Sequence, residues 1–149
     1  MITLEPAKEQ MTGDSQRLAT VMVADGDEDS ICLLKSILGL KGFNVLPAAD
    51  GQEAVDLAIR WHPDLILMDL KLPIVSGFTA IRRIKKLASL RDTPIIAVSF
   101  SKHPSHSKLA LAAGCVAHIE KPIEFDRLDA LIDQFLPGHR WELASTLVH

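Results

Sequence analysis

Residues 64–77 read Asp64-Leu-Ile-Leu-Met-Asp69-Leu-Lys-Leu-Pro73-Ile-Val-Ser-Gly77. Leu65 to Met68 are an unbroken apolar run, and the run ends on an acid, Asp69. A short strand that is apolar on both faces suits a parallel sheet covered by helices on both sides. Beyond the turn, Ser76–Ala88 carries apolar residues at helical spacing: Phe78, Ile81, Ile84 and Leu87. That pattern turns Arg82, Arg83, Lys85 and Lys86 to solvent.

The same alternation extends in both directions. Strands are expected at Val21–Asp25, Asn44–Ala48, Leu65–Asp69, Ile95–Ser99 and Val116–Ile119. Helices are expected at Asp29–Leu40, Asp50–Arg60, Ser76–Ala88, His106–Ala113 and Phe125–Leu136. Asp50 with Glu53 three residues on resembles a capping box. Five strand–helix units with right-handed crossovers give an α/β, doubly wound, three-layer sandwich around a five-stranded parallel sheet. In such a fold the functional crevice lies beyond the carboxyl ends of the strands.

Composition sets the bounds. The chain has 149 residues, 48% hydrophobic and 23% charged, which is one ordinary globular domain. Lys and Arg number 16 against 19 acids, a net charge of -3. A dedicated nucleic-acid binder is normally basic, so direct nucleic-acid binding is not expected. Cys32 and Cys115 form no C-x-x-C pair and read as buried, reduced, inert thiols of a cytoplasmic protein. No run is long and apolar enough for a membrane span, and the N-terminus lacks a signal-peptide run. Residues 1–19 read as a tail or short helix, 20–136 as the domain and 137–149 as a C-terminal tail.

Chemistry collects at the strand ends. Strand one ends at Asp25, followed by Asp27, Glu28 and Asp29; strand three ends at Asp69; strand four ends at Ser99; strand five leads into Lys121-Pro122. In a parallel sheet all of these meet at one rim. Clustered carboxylates there suit Mg²⁺, which keeps several waters and uses one or two carboxylates. A carboxylate can also act as nucleophile toward a phosphoryl group, with a nearby Lys neutralising charge. For Asp27, Glu28 and Asp29, capping of the following helix is an equal reading. Capping does not explain Asp69, because the next helix starts several residues later.

These segments resemble response-regulator receiver domains. The resemblance rests on Asp64 to Gly77, on Thr93-Pro-Ile-Ile-Ala-Val-Ser99 and on His118-Ile-Glu-Lys121-Pro122-Ile, and runs from about Thr20 to Leu136. It implies the flavodoxin-like (βα)5 fold and a chemotaxis-type single-domain receiver in two-component signalling. It makes Asp69 the phosphoacceptor, served by a histidine kinase or phosphotransfer protein with Mg²⁺. Ser99 matches the hydroxyl that bonds the phosphoryl oxygen and moves on activation. Lys121 matches the phosphate-pairing Lys, and its bond to Pro122 is implied to be cis. Asp25, Asp69 and the backbone carbonyl of Lys71 match metal ligands. His118 stands at the aromatic switch position. The implied output is a protein contact or homodimer through the face of helix four, strand five and helix five, because residues 137–149 are too few for a DNA-binding domain. Such a domain assists only its own phosphorylation and dephosphorylation and is not otherwise an enzyme.

Three departures stand out. Receivers usually carry two adjacent acids after strand one, but here the pair is Asp25-Gly26. The missing acid usually binds the metal directly, so weakened Mg²⁺ binding is expected; Asp27 is a candidate substitute. Phe100 replaces the small residue that usually follows the Ser99 position. It either restricts access at the rim or packs over helix four. At the third departure, His118 is either a pH-sensitive switch or a space-filling ring. The remaining histidines read as surface residues. A pseudo-receiver, binding a protein constitutively with little phosphorylation, is therefore the alternative. A haloacid-dehalogenase-type reading of Asp25-Gly26-Asp27 fails because Asp29 stands where a Thr is needed and Asp69 is left unused. An EF-hand reading fails at Ser30 and Ser36, and no phosphate-loop motif occurs.

Overall fold

The computed structural model describes residues 18–100 and 104–136. The element order is β1 (Thr20–Ala24), α1 (Glu28–Leu40), β2 (Asn44–Ala48), α2 (Gly51–Trp61), β3 (Leu65–Asp69), α3 (Gly77–Lys85), a 3₁₀ turn at Ala88–Leu90, β4 (Ile95–Ser99), α4 (Pro104–Ala113), β5 (Ala117–Glu120) and α5 (Phe125–Phe135). All strand pairs are parallel, in the order β2-β1-β3-β4-β5. This is the flavodoxin-like, doubly wound three-layer fold. Of the tails expected at 1–19 and 137–149, residues 1–17 and 137–149 lie outside the described residues.

Burial explains the order. The three central strands are buried at every residue, whereas edge strands β2 and β5 are half-buried. Pro47 cannot donate a ladder hydrogen bond and sits on β2, an edge strand, where that omission is tolerated. Val21, Val23, Leu65, Leu67, Ile96 and Ile119 pack against Leu34 and Leu38 of α1 and Leu128 and Ile132 of α5. On the other face, Met22, Ile66, Met68, Ile95 and Ala97 pack against α2, α3 and Ala110 of α4.

Local chemistry sets the helix ends. Asp50 accepts from the Glu53 N–H at 2.7 Å and so caps α2. The Glu53 carboxylate reaches back to the Ala49 N–H at 2.6 Å, one residue short of the box expected. Ser76 caps α3. That helix stops at Lys85, three residues before the expected end. Lys85 is half-buried rather than solvated: its Nζ donates to the carbonyls of Arg91 and Thr93, satisfying the turn that follows. Its pKa is lowered, chiefly by burial. Cys115 is buried as expected, but Cys32 is exposed on α1, because Leu34 and Leu38 are the positions that α1 buries.

Two features hold the β3–α3 loop against the sheet edge. An ideal Cβ on Gly77 would stand 2.1 Å from the Asp69 carbonyl oxygen, so only glycine lets α3 start there. Ile74 has φ 70, and the Val75 N–H donates to the Pro73 carbonyl at 2.7 Å. This is a γ-turn with positive φ, a strained form for a β-branched residue.

Candidate functional site

Strand parity decides which side chains meet at the carboxyl edge. Val23, Leu67 and Ile119 face the core under α1 and α5. Asp25, Asp69 and Lys121 each lie two residues further on, so they emerge on that same face. The ladder continues past the strand ends to hold them: Asp25 N–H donates to Ala48 at 3.0 Å and Lys121 N–H to Ser99 at 2.7 Å.

These three residues form one buried cluster. Asp25 is 4% exposed, Asp69 8% and Lys121 9%. Lys121 Nζ lies 2.7 Å from Asp25 Oδ2 and 3.0 Å from Asp69 Oδ2. The other oxygens are also engaged: Asp25 Oδ1 accepts the Asp27 N–H at 2.8 Å, and Asp69 Oδ1 accepts the Lys71 N–H at 2.9 Å. Burial alone would push the Lys121 pKa down, but hydrogen bonds and charge from Asp25 and Asp69 outweigh it and the net shift is upward. The Lys121–Pro122 peptide is cis.

The second face carries a different pair. Ala97 faces the α2–α4 side, so Ser99, two residues on, does too. His118 pairs in register with Ala97 and is flanked by Ala117 and Ile119, which face the opposite core. Ser99 Oγ and His118 Nε2 are 2.8 Å apart. His118 is half-buried, and its pKa is lowered, first by burial and then by His106 and Arg127 against the opposing pull of Glu120. Arg127 Nη2 also donates to the His118 carbonyl at 3.3 Å.

A cleft of about 920 Å³ opens over the charged cluster and Ser99. Asp25, Asp69, Ser99 and Lys121 line it together with Phe78, Phe100 and His106. Phe100 does not pack over α4. It is 74% exposed, and its ring centroid stands 5.0 Å from Lys121 Nζ, a cation–π distance. His106 is no plain surface residue either; it is half-buried with its ring edge-on to Phe78 at 6.3 Å. His62 is exposed, whereas His103, His139 and His149 lie outside the described residues.

Asp27 turns to another task. Its Oδ1 accepts the Asp29 N–H at 3.1 Å and its Oδ2 the Ser30 hydroxyl at 3.2 Å, so it caps α1. The capping reading therefore holds for Asp27, and both of its oxygens are committed. No group of three His, Cys, Asp or Glu among the described residues is arranged to hold a metal. Two buried carboxylates against one ammonium still leave a formal excess of negative charge. As hard oxygen donors, the two carboxylates fit a mostly hydrated divalent cation. Gly26 supplies no ligand; it is exposed, and an ideal Cβ there would stand 3.3 Å from Pro73 Cδ.

No helix among the described residues is long and apolar enough to cross a membrane. Residues 21–133 match the model of the response regulator receiver domain. The chain is 35% identical over 117 residues to the polar-differentiation response regulator DivK of Brucella ovis, spanning 78% of this chain and 95% of that one. Among solved structures, the receiver domain of a Pseudomonas aeruginosa sensor histidine kinase has magnesium coordinated in its active-site cleft. It is 27% identical, with a TM-score of 0.75 over 80% of this chain and 98% of its own. The receiver domain of Ssk1 from Saccharomyces cerevisiae, solved in complex with the histidine phosphotransfer protein Ypd1, is 26% identical. Its TM-score is 0.73 over 79% of this chain and 88% of that one. By fold, by sequence match and by the residues gathered at its carboxyl edge, the chain belongs to the response regulator receiver domains of two-component signalling.

Proposed function

We propose that Asp69 accepts a phosphoryl group from a phosphohistidine on a histidine kinase or phosphotransfer protein. The observation that carries this reading is the bridge from Lys121 Nζ to Asp25 Oδ2 and Asp69 Oδ2, at 2.7 and 3.0 Å, on the floor of an open cleft. An Asp69 carboxylate oxygen attacks phosphorus; the P–N bond of the donor breaks, and the imidazole leaves with the electron pair. Lys121, already beside the acceptor, stays to neutralise charge on the transferred group. Asp25, Asp69 and the Lys71 carbonyl would hold Mg²⁺, which when bound draws off negative charge from the phosphoryl oxygens. Phosphorylation adds close to two negative charges and new acceptor oxygens to the floor of the cleft. Ser99 is the hydroxyl that answers them.

The downstream contact is assigned to the face of α4, β5 and α5, for a protein target or a second copy of the chain. Leu109 and Leu111 of α4 and Val116, just before β5, are exposed. The DivK and Ypd1–Ssk1 likenesses support a role in phosphorelay between proteins. A constitutive interaction module is the second reading, and two observations favour it: Gly26 has no side-chain carboxylate to offer a metal, and Phe100 stands over Lys121.

Intact mass after incubation with acetyl phosphate separates the two. A single phosphoryl adduct that requires Mg²⁺, is lost in EDTA and is absent in Asp69→Asn establishes the acceptor. No adduct with acetyl phosphate at high Mg²⁺ or with a phosphohistidine protein overturns the acceptor and leaves the interaction module as the reading.

A further inference from the structure

The Ser99 hydroxyl already has a partner. It sits 2.8 Å from His118 Nε2, on the α4 side of the sheet, while Asp69 emerges on the side of α1 and α5. A phosphoryl oxygen on Asp69 would lie at the edge between the two faces. Ser99 has one proton to donate. With Nε2 as acceptor, that proton points at His118 and cannot also serve a phosphoryl oxygen. With Nε2–H as donor, a lone pair holds the hydroxyl in the same place. In either tautomer, leaning toward Asp69 lengthens the bond.

We propose that His118 is a latch: it holds the Ser99 hydroxyl off the acceptor, and phosphorylation must break the Ser99–His118 hydrogen bond to recruit that hydroxyl. This rests on Asp69 being the phosphoacceptor. The latch makes His118 a positioning residue that acts through Ser99. It also gives the ring its role in output. Once released, His118 stands on edge strand β5 with a free Nε2, facing Glu120 of its own strand, His106 of α4 and Arg127 of α5. The phosphoryl group is thus converted into a polar group newly available beside α4 and α5. A Phe or Tyr ring at position 118 offers no ring nitrogen for this bond.

The test combines imidazole ¹H–¹⁵N spectra with intact mass, at one fixed pH. In unphosphorylated protein, Ser99→Ala should shift the His118 Nε2 resonance. Acetyl phosphate with Mg²⁺ should shift it in the same direction as the Asp69 adduct accumulates. His118→Phe should raise the adduct level about five-fold where most wild-type protein stays unmodified, the weight of one neutral hydrogen bond. His118→Gln, whose amide can bond Ser99, should return it toward wild type and controls for folding. An adduct that forms while Nε2 stays still, with His118→Phe at the wild-type level, overturns the latch and leaves the acceptor standing. A Ser99→Ala protein with an unshifted Nε2 overturns it too. Absence of any adduct overturns both, because nothing then releases the latch.

Discussion

Replacing Lys121 by Met removes one charge and keeps most of the stem that packs around it. Nζ touches Asp25 Oδ2 and Asp69 Oδ2 at 2.7 and 3.0 Å, and all three side chains are nearly inaccessible. Oxygens that share one nitrogen are no more than about 6 Å apart, so at an effective dielectric of 20 their charges repel by about 3 kcal/mol. The same figure follows from experience with buried ion pairs that lose one partner, roughly 3–5 kcal/mol. Urea unfolding of Lys121→Met at pH 7.5 should therefore show a loss of about 3 kcal/mol, read as a lower midpoint at unchanged slope.

The sign of the pH dependence follows from the same charges. The wild-type Lys121 pKa is raised above 10.5, so its contribution is full through neutral pH and is lost only as pH climbs past that raised value. In the variant, two carboxylates face each other without a cation. Adding Asp69→Asn to Lys121→Met removes one of the repelling charges and should restore most of the loss, a coupling of about 2 kcal/mol. A loss under 1 kcal/mol, or one that does not change with Asp69→Asn, would refute the account of the cluster as a charge-balanced floor.

Three more outcomes test other parts of the structure. Gly26→Asp supplies the missing acid, and its Cβ needs only a small shift of Pro73 Cδ, 3.3 Å away; Mg²⁺ affinity by titration should rise at least about tenfold, the lower scale for losing even an outer-shell partner. An unchanged affinity would show that the carboxylates do not hold the ion. Native protein should react with one equivalent of a thiol reagent at exposed Cys32. Cys115, whose pKa burial pushes up to about 12, should react only on denaturation, and early labelling of Cys115 would contradict its burial. Ile74→Asn should stabilise the fold by about 1 kcal/mol and raise Tm by a few degrees. Asn takes a positive φ more readily than a β-branched residue, and the 80% exposed Ile side chain leaves little packing to lose. A lower Tm would mean that Ile74 makes a contact worth more than its strain.

The order of elements was legible because it depends on local periodicity. Continuous runs such as Leu65–Met68 and Ile95–Val98 became central strands, and the acid, hydroxyl and ammonium ending their respective runs met at one edge. What sequence could not supply was the placement of side chains relative to distant elements. Lys85 has the spacing of a solvated helix face, yet it folds over the turn carbonyls of Arg91 and Thr93. Cys32 lies in an apolar stretch, but α1 buries other positions. His106 has no distinctive neighbour in sequence and meets Phe78 only because α3 and α4 pack on the same face. The Ser99–His118 bond joins residues 19 apart and depends on the register that sets Ala97 against His118.

The parity of the strands separates the proposed acceptor from its proposed readout. Asp25, Asp69 and Lys121 share one face, while Ser99 and His118 share the other. The charged cluster is internally satisfied: each carboxylate takes Lys121 and one backbone N–H. The hydroxyl pair is also satisfied, by its own bond. Two self-contained sets of hydrogen bonds have no reason to communicate until a group appears that both must serve. A phosphoryl group on Asp69 is such a group, since its oxygens call on Lys121 from one face and Ser99 from the other. Differential bonding of that kind is what a population shift requires. It also explains why Asp69→Asn, which keeps the size of the side chain but cannot take the phosphoryl group, should leave the Ser99–His118 bond in its resting state with acetyl phosphate and Mg²⁺ present.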